Sequence, residues 1–190
     1  LEVFARYRHP VGIITKNSLI LRDLDILSDL AKDNLVHVYI SITTLNEDLR
    51  GVMEPRTASS VKRLKTVSAL TNAGVPVGIM NAPIIPGLND HEIPNVLKAA
   101  SEAGAKTAGM TIVRLNGSIG KIFEDWLRKN YPNQFDKVWN QISAAHGGNV
   151  SDSQFGRRMK GEGAYAEAIH QLFRSSKKKY FKDRSMPVYD

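Results

Sequence analysis

Apolar positions crowd into four short β-branched segments, at 11–15 (VGIIT), 36–43 (VHVYISIT), 75–82 (VPVGIMNA) and 106–115 (KTAGMTIVRL). Runs that are apolar on nearly every residue suit parallel strands covered on both faces, because a strand with one wet face alternates. Each run is followed by a stretch with helical spacing of its apolar residues. That alternation predicts an α/β fold.

The helical stretches carry their own punctuation. Leu24, Leu27, Leu30 and Ala31 follow Asp23 at helical spacing, Ser59 is an N-cap for the next helix, and Gly74 closes it. In the third, HEIPNVLKAASEAG, Asp90 reads as the N-cap and Pro94 falls in the first turn, where its missing N–H costs little. Each helix returns directly to a strand, the repeating unit of a barrel or a doubly wound sheet. The opening LEVFARYRHP reads as the amphipathic end of a helix. Beyond residue 117 the segments 120–131, 133–148 and 161–178 predict three helices with no strand between them. The chain therefore divides into an α/β part, 1–117, and a helical extension, 118–190.

Composition narrows the function. With 190 residues, 42% hydrophobic and 24% charged, the chain has the makings of one sizeable core. No apolar run reaches the roughly 18 to 20 residues of a membrane span, and the N-terminus lacks a signal-peptide layout, so a cytoplasmic protein without membrane contact is expected. The absence of cysteine excludes disulfides, thiolate catalysis and cysteine-ligated zinc or iron–sulfur sites within this chain. The five histidines include no pair at metal-ligand spacing with a carboxylate partner, so no metal site is expected here. The net charge of +7 is uneven: residues 171–190 hold six Lys and Arg against two Asp. That tail reads either as a solvated terminus or as an electrostatic footprint for nucleic acid.

Parallel α/β folds collect ligands at the carboxyl ends of their strands. Here those ends carry Lys16, Ser41, the proline-rich turn APIIPG and Arg114. Lys16 is either a point charge for an anionic group or a solvated strand end. Ser41, between two isoleucines, either meets a ligand or bonds back to a neighbouring carbonyl. Glu54 and Arg56 flank a proline in the long loop GVMEPRTAS, where a local ion pair is the favoured reading and a ligand contact by Arg56 the alternative. Arg157, Arg158 and Lys160, with Phe155 beside them, form a basic loop of a kind that can hold nucleic acid or merely keep a glycine-rich loop soluble. GSIGK at 117–121 lacks the spacing of a phosphate loop.

Taken together, VGIITKNSLILRDLDIL, YISITTLNEDLRGVMEPRTASS, GVPVGIMNAPIIPGLND, TIVRL and FGRRMKGEGAYAEAI resemble the radical S-adenosylmethionine family, in its branch related to spore photoproduct lyase and labelled DNA repair photolyase-like. The resemblance implies a partial, TIM-like (β/α)6 barrel of which this chain supplies the last four strand–helix units. It implies S-adenosylmethionine as cofactor and a [4Fe–4S] cluster held by a Cys-x3-Cys-x2-Cys loop after the first family strand, upstream of this chain. The family's loose Gly-x-Ile-x-Gly-x-x-Glu motif matches at Ile85 and Gly87, with Asp90 in the glutamate position and Pro83 replacing the first glycine. By the same resemblance Lys16 meets the methionyl carboxylate or ribose, Ser41 the ribose or carboxylate, and Val113, Arg114 and Leu115 line the adenine mainly with backbone.

The implied activity is reductive cleavage of the cofactor to a 5′-deoxyadenosyl radical that abstracts hydrogen, with a reductant protein feeding the cluster and DNA or another nucleic acid as substrate. This chain alone is expected to be inactive. Two readings from other classes compete. One is a non-catalytic basic α/β module that binds nucleic acid; the other is a cofactor-free barrel enzyme using Lys16 and Arg56 on a small anion. The unpaired edge of VGIIT predicts that the chain self-associates.

Overall fold

The computed structural model describes residues 1–151 and 159–189. Four parallel strands, β1 (Val11–Thr15), β2 (Val36–Ser41), β3 (Val77–Ile84) and β4 (Thr107–Ile112), form one sheet in chain order. The helices are α1 (Glu2–Arg6), α2 (Leu24–Lys32), α3 (Glu47–Met53), α4 (Ser60–Asn72), α5 (Ile93–Glu102), α6 (Ser118–Asn130), α7 (Phe135–Ala145) and α8 (Gly163–Tyr180). Each expected strand is present, although β2 and β4 stop two and three residues short of the apolar runs that announced them and β3 runs on to Ile84.

Period-two alternation explains the two faces of the sheet. Val36, Val38 and Ile40 of β2, with Val77 and Ile79 of β3, are buried in one core with Leu27 and Leu30 of α2, Val67 and Leu70 of α4 and Val96 and Leu97 of α5. The alternate positions form the opposite face, where the register sets Ile14, Tyr39, Gly78 and Thr107 side by side. There the Tyr39 ring lies over Gly78, so closely that a Cβ at 78 would be 2.5 Å from it. Among the described residues β1 pairs only with β2 and leaves an open edge, with Ile14 66% exposed.

The C-terminal helices close the core. Ile169 and Phe173 of α8 enter the cluster beneath α5, while α6 and α7 build a second cluster of Leu127, Val138 and Ile142 around Ile85 and Val113. Two cations of the basic tail are spent on backbone: Lys177 donates to the Ala108 carbonyl at 2.7 Å, and Arg184 to those of Ser101 and Ala105 at 2.8 and 3.0 Å. Tyr189 stacks on His37 with ring centroids 3.9 Å apart. Among the described residues no helix is long and apolar enough to cross a membrane.

The caps depart from expectation in one place. Ser59 accepts from the Lys62 amide as predicted, whereas Asp90 opens a short 3-10 turn and Glu92 holds the N-cap position of α5. The Asp90 carboxylate is engaged elsewhere, accepting the Tyr165 hydroxyl at 2.5 Å. Burial, with that contact second, pushes the Tyr165 phenol up to about 12.

Candidate functional site

Buried amides and a carboxylate pin the carboxyl ends of β2 and β3 together. Asn81 donates to the Ile42 carbonyl at 2.8 Å; Asn89 donates to those of Thr43 and Pro83 at 2.9 and 3.1 Å and accepts the Ile85 amide at 2.7 Å. Glu92 accepts from the Thr44 hydroxyl at 2.5 Å and the Leu45 amide at 2.8 Å. These bonds tie the two strand ends into one rim at the sheet's carboxyl edge, with the buried Asn81 Oδ1 left without a partner among the described residues.

Above that rim stands a charged cluster. Arg63, only 2% exposed, reaches from α4 to donate to the Ser41 carbonyl at 2.8 Å, the Ala58 carbonyl at 2.8 Å and Glu54 Oε2 at 2.6 Å. Glu54 Oε1 takes the Lys16 ammonium from the end of β1 and lies 2.9 Å from the Thr43 hydroxyl. Burial pushes the Glu54 carboxyl up, and the hydrogen bonds from Lys16 and Arg63 outweigh it, so the group lies below the usual carboxylate range. Two cations thus share one anion. The triad keeps one positive charge, and its accessible member is Lys16, whose side chain is 37% exposed.

The local pair expected within the loop 51–59 does not form. Arg56 is exposed, and Glu54 turns inward to Lys16 and Arg63 instead. A buried carboxylate gains more from a buried guanidinium than from a solvated neighbour two residues away. The first three residues of that loop, 51–53, are the last turn of α3, which Asn46 starts by accepting the Asp48 and Leu49 amides.

Ser41 is 6% exposed and its carbonyl is held by Arg63, which ties it directly to the Lys16 triad. Ile85 is 1% exposed, with its side chain in the α6–α7 cluster. Gly87, at φ +77°, passes so close to Gln141 that a Cβ would stand 2.0 Å from its Oε1. Val113 and Leu115 are buried in the same cluster as Ile85, and Arg114 between them is exposed. The proline-rich turn is therefore folded inward: Ile85 packs under α6 and α7, its amide is taken by Asn89 Oδ1, and its carbonyl accepts the Leu88 amide. Arg157 and Arg158 lie outside the described residues, and among those described no group of three or more His, Asp and Glu is placed to hold a metal ion.

Reasoning from sequence missed Arg63, Asn81, Asn89 and Glu92. A cation amid apolar helical positions, as Arg63 is beside Leu64 and Val67, was the one available signal of a buried partner.

Residues 2–100 match the model of the Radical SAM superfamily, a span that includes Lys16, Ser41, Glu54, Arg63, Ile85 and Gly87. An uncharacterized protein of Mycobacterium tuberculosis is 30% identical over 125 residues, covering 65% of this chain and 37% of the relative. One of Methanocaldococcus jannaschii is 28% identical over 136 residues, covering 72% of this chain and 49% of the relative. The chain thus spans half or less of the curated relatives it matches. Among solved structures, a cysteine-to-alanine variant of spore photoproduct lyase with dinucleoside spore photoproduct superposes with a TM-score of 0.63 at 15% identity. The match covers 95% of this chain and 54% of that one. Spore photoproduct lyase complexed with dinucleoside spore photoproduct gives 0.59 at 16% identity, covering 91% and 49%.

The chain belongs to the Radical SAM superfamily. Its four parallel strands and C-terminal helices share the fold of spore photoproduct lyase.

Proposed function

We propose that this chain is the C-terminal part of a radical S-adenosylmethionine enzyme, supplying the last four strand–helix units of a partial (β/α)6 barrel and, beyond residue 117, a helical extension. The observation that carries the reading is the Lys16–Glu54–Arg63 triad, whose unbalanced positive charge stands at the carboxyl edge of the sheet. A methionyl carboxylate seeks a cation, a ribose seeks hydroxyl-sized partners, and an adenine seeks an apolar face. Lys16 takes the carboxylate or ribose, Ser41 the ribose or carboxylate, and Ile85 and Gly87, with the stretch Val113, Arg114 and Leu115, border the adenine.

S-adenosylmethionine bound beside a reduced [4Fe–4S] cluster supplies a carbon radical for hydrogen abstraction. This chain's part is to fix the charged and polar ends of the cofactor and keep water from its reactive carbon. With no cysteine it offers the cluster no thiolate, so the proposal assigns those ligands to a segment outside these residues. Nucleic acid is the proposed substrate, contacted by Arg56, Arg157 and Arg158. The net charge of +7 supports it, whereas fold likeness to spore photoproduct lyase does not by itself transfer a substrate.

Reading the coding region upstream of Leu1 tests the proposal. It predicts three cysteines in frame at Cys-x3-Cys-x2-Cys spacing. A frame that opens at a nearby methionine without them overturns the enzyme reading and leaves a basic binding module.

A further inference from the structure

We propose that Glu54 is a positioning residue: anchored by Arg63, it holds the Lys16 ammonium at the carboxyl edge of the sheet with its remaining N–H groups free for a ligand carboxylate. The inference rests on the cofactor reading for the identity of that carboxylate.

Lysine has a flexible four-carbon stem, and ordering it only when a ligand arrives costs conformational entropy. Glu54 has no such freedom. It is buried, its Oε2 is 2.6 Å from Arg63 Nη2, and its Oε1 is 2.9 Å from the Thr43 hydroxyl. Arg63 is fixed in turn by the Ser41 and Ala58 carbonyls, each at 2.8 Å, and by the Thr57 hydroxyl at 2.5 Å. A continuous chain of hydrogen bonds therefore runs from Ser41 through Arg63 and Glu54 to Lys16, so two residues read as cofactor contacts are held in one frame.

The donor count fits this role. An ammonium has three N–H groups, and one directed at Glu54 leaves two. Glu54 also keeps a charged partner when Lys16 shifts its weight to a ligand, because Arg63 remains bound to its Oε2. Lys16 can thus share its charge without stranding a buried anion, the situation that would otherwise oppose binding.

Lysine acylation tests the inference without reference to catalysis. The 190-residue chain is pulsed with an acetyl N-hydroxysuccinimide ester, and modification at Lys16 is compared by peptide mass spectrometry with that at exposed Lys178. Glu54→Gln raises the relative rate at Lys16 about fivefold or more. Because Glu54→Gln leaves Arg63 without its anion and is liable to unfold, Glu54→Asp is measured alongside. It keeps a carboxylate beside Arg63 but falls a methylene short of Lys16, and it gives the same rise in a folded protein. An unchanged Lys16 rate in folded Glu54→Asp overturns the inference.

Equilibrium dialysis with S-adenosylmethionine supplies the second arm. Glu54→Asp weakens binding about tenfold, and the Glu54→Asp, Lys16→Ala double variant binds no worse than Lys16→Ala alone. Fully additive losses contradict a role acting through Lys16. A wild-type chain that binds no S-adenosylmethionine defeats the cofactor reading, while the acylation rates still decide the role of Glu54.

Discussion

Arg63 Nη2 lies 2.6 Å from Glu54 Oε2, with 2% and 8% of the two side chains exposed, and the pair joins α4 to the segment that follows α3. Removing one partner leaves the other charge buried. Arg63→Met is therefore expected to cost about 3 to 5 kcal/mol, read from urea unfolding midpoints at constant slope. A loss below about 1 kcal/mol would mean that Lys16 alone compensates Glu54.

Gly87 provides a test of the proline-rich turn. Its φ of +77° is left-handed, and a Cβ there would overlap Gln141 of α7. Gly87→Ala should destabilise the chain by about 1 to 2 kcal/mol from backbone strain alone. Gly87→Ala combined with Gln141→Ala should recover the part due to overlap, so a thermal-melt cycle separates the two.

Acid should loosen the start of α3. Burial pushes the Glu47 carboxyl up, but the Ser60 hydroxyl and amide and the Arg50 guanidinium outweigh it and bring the group down to about 2 from an ordinary 4.5. The unfolded chain binds more protons between those values, so this contribution is whole above pH 4.5 and fades as pH falls toward 2. Glu47→Gln should flatten the slope of stability against pH in that window, by a small amount because the side chain is 42% exposed.

His37 acts with the same sign at higher pH. Burial pushes its imidazole below the ordinary 6.5, and the Pro187 carbonyl only partly offsets this. Folding favours the neutral ring, so its contribution is complete above pH 6.5 and is lost as pH falls through the depressed value. Tyr189→Ala removes the stacked ring, is expected to cost about 1 kcal/mol, and should shrink this pH dependence by wetting the imidazole. Chemical unfolding at a series of pH values checks both effects.

The sheet was legible because its strands are written as short runs rich in β-branched residues, although β1 keeps one face open, with Ile14 66% exposed, where cover on both faces was expected. Ser59, a cap with its partner three residues on, was equally plain. Short α3 was missed, although Asn46 before Glu47 and Asp48 is a start signal. The triad was out of reach for a different reason: Lys16 and Glu54 are 38 residues apart, and no spacing rule joins a strand end to a loop beyond the next strand. Proximity in sequence favoured Arg56 for Glu54, while burial decided for Arg63. Ile85 shows the opposite failure. By resemblance its apolar side chain was expected to face the adenine, but α6 and α7, still to come in the chain, pack over it.

The cofactor reading stands or falls on whether the triad's spare charge receives an anion. Equilibrium dialysis of the wild-type chain and of Lys16→Ala against S-adenosylmethionine measures this. The expected result is saturable binding by the wild type that weakens at least about tenfold in Lys16→Ala and declines with added salt. Equal binding by the two proteins, or none by a folded wild type, would contradict it.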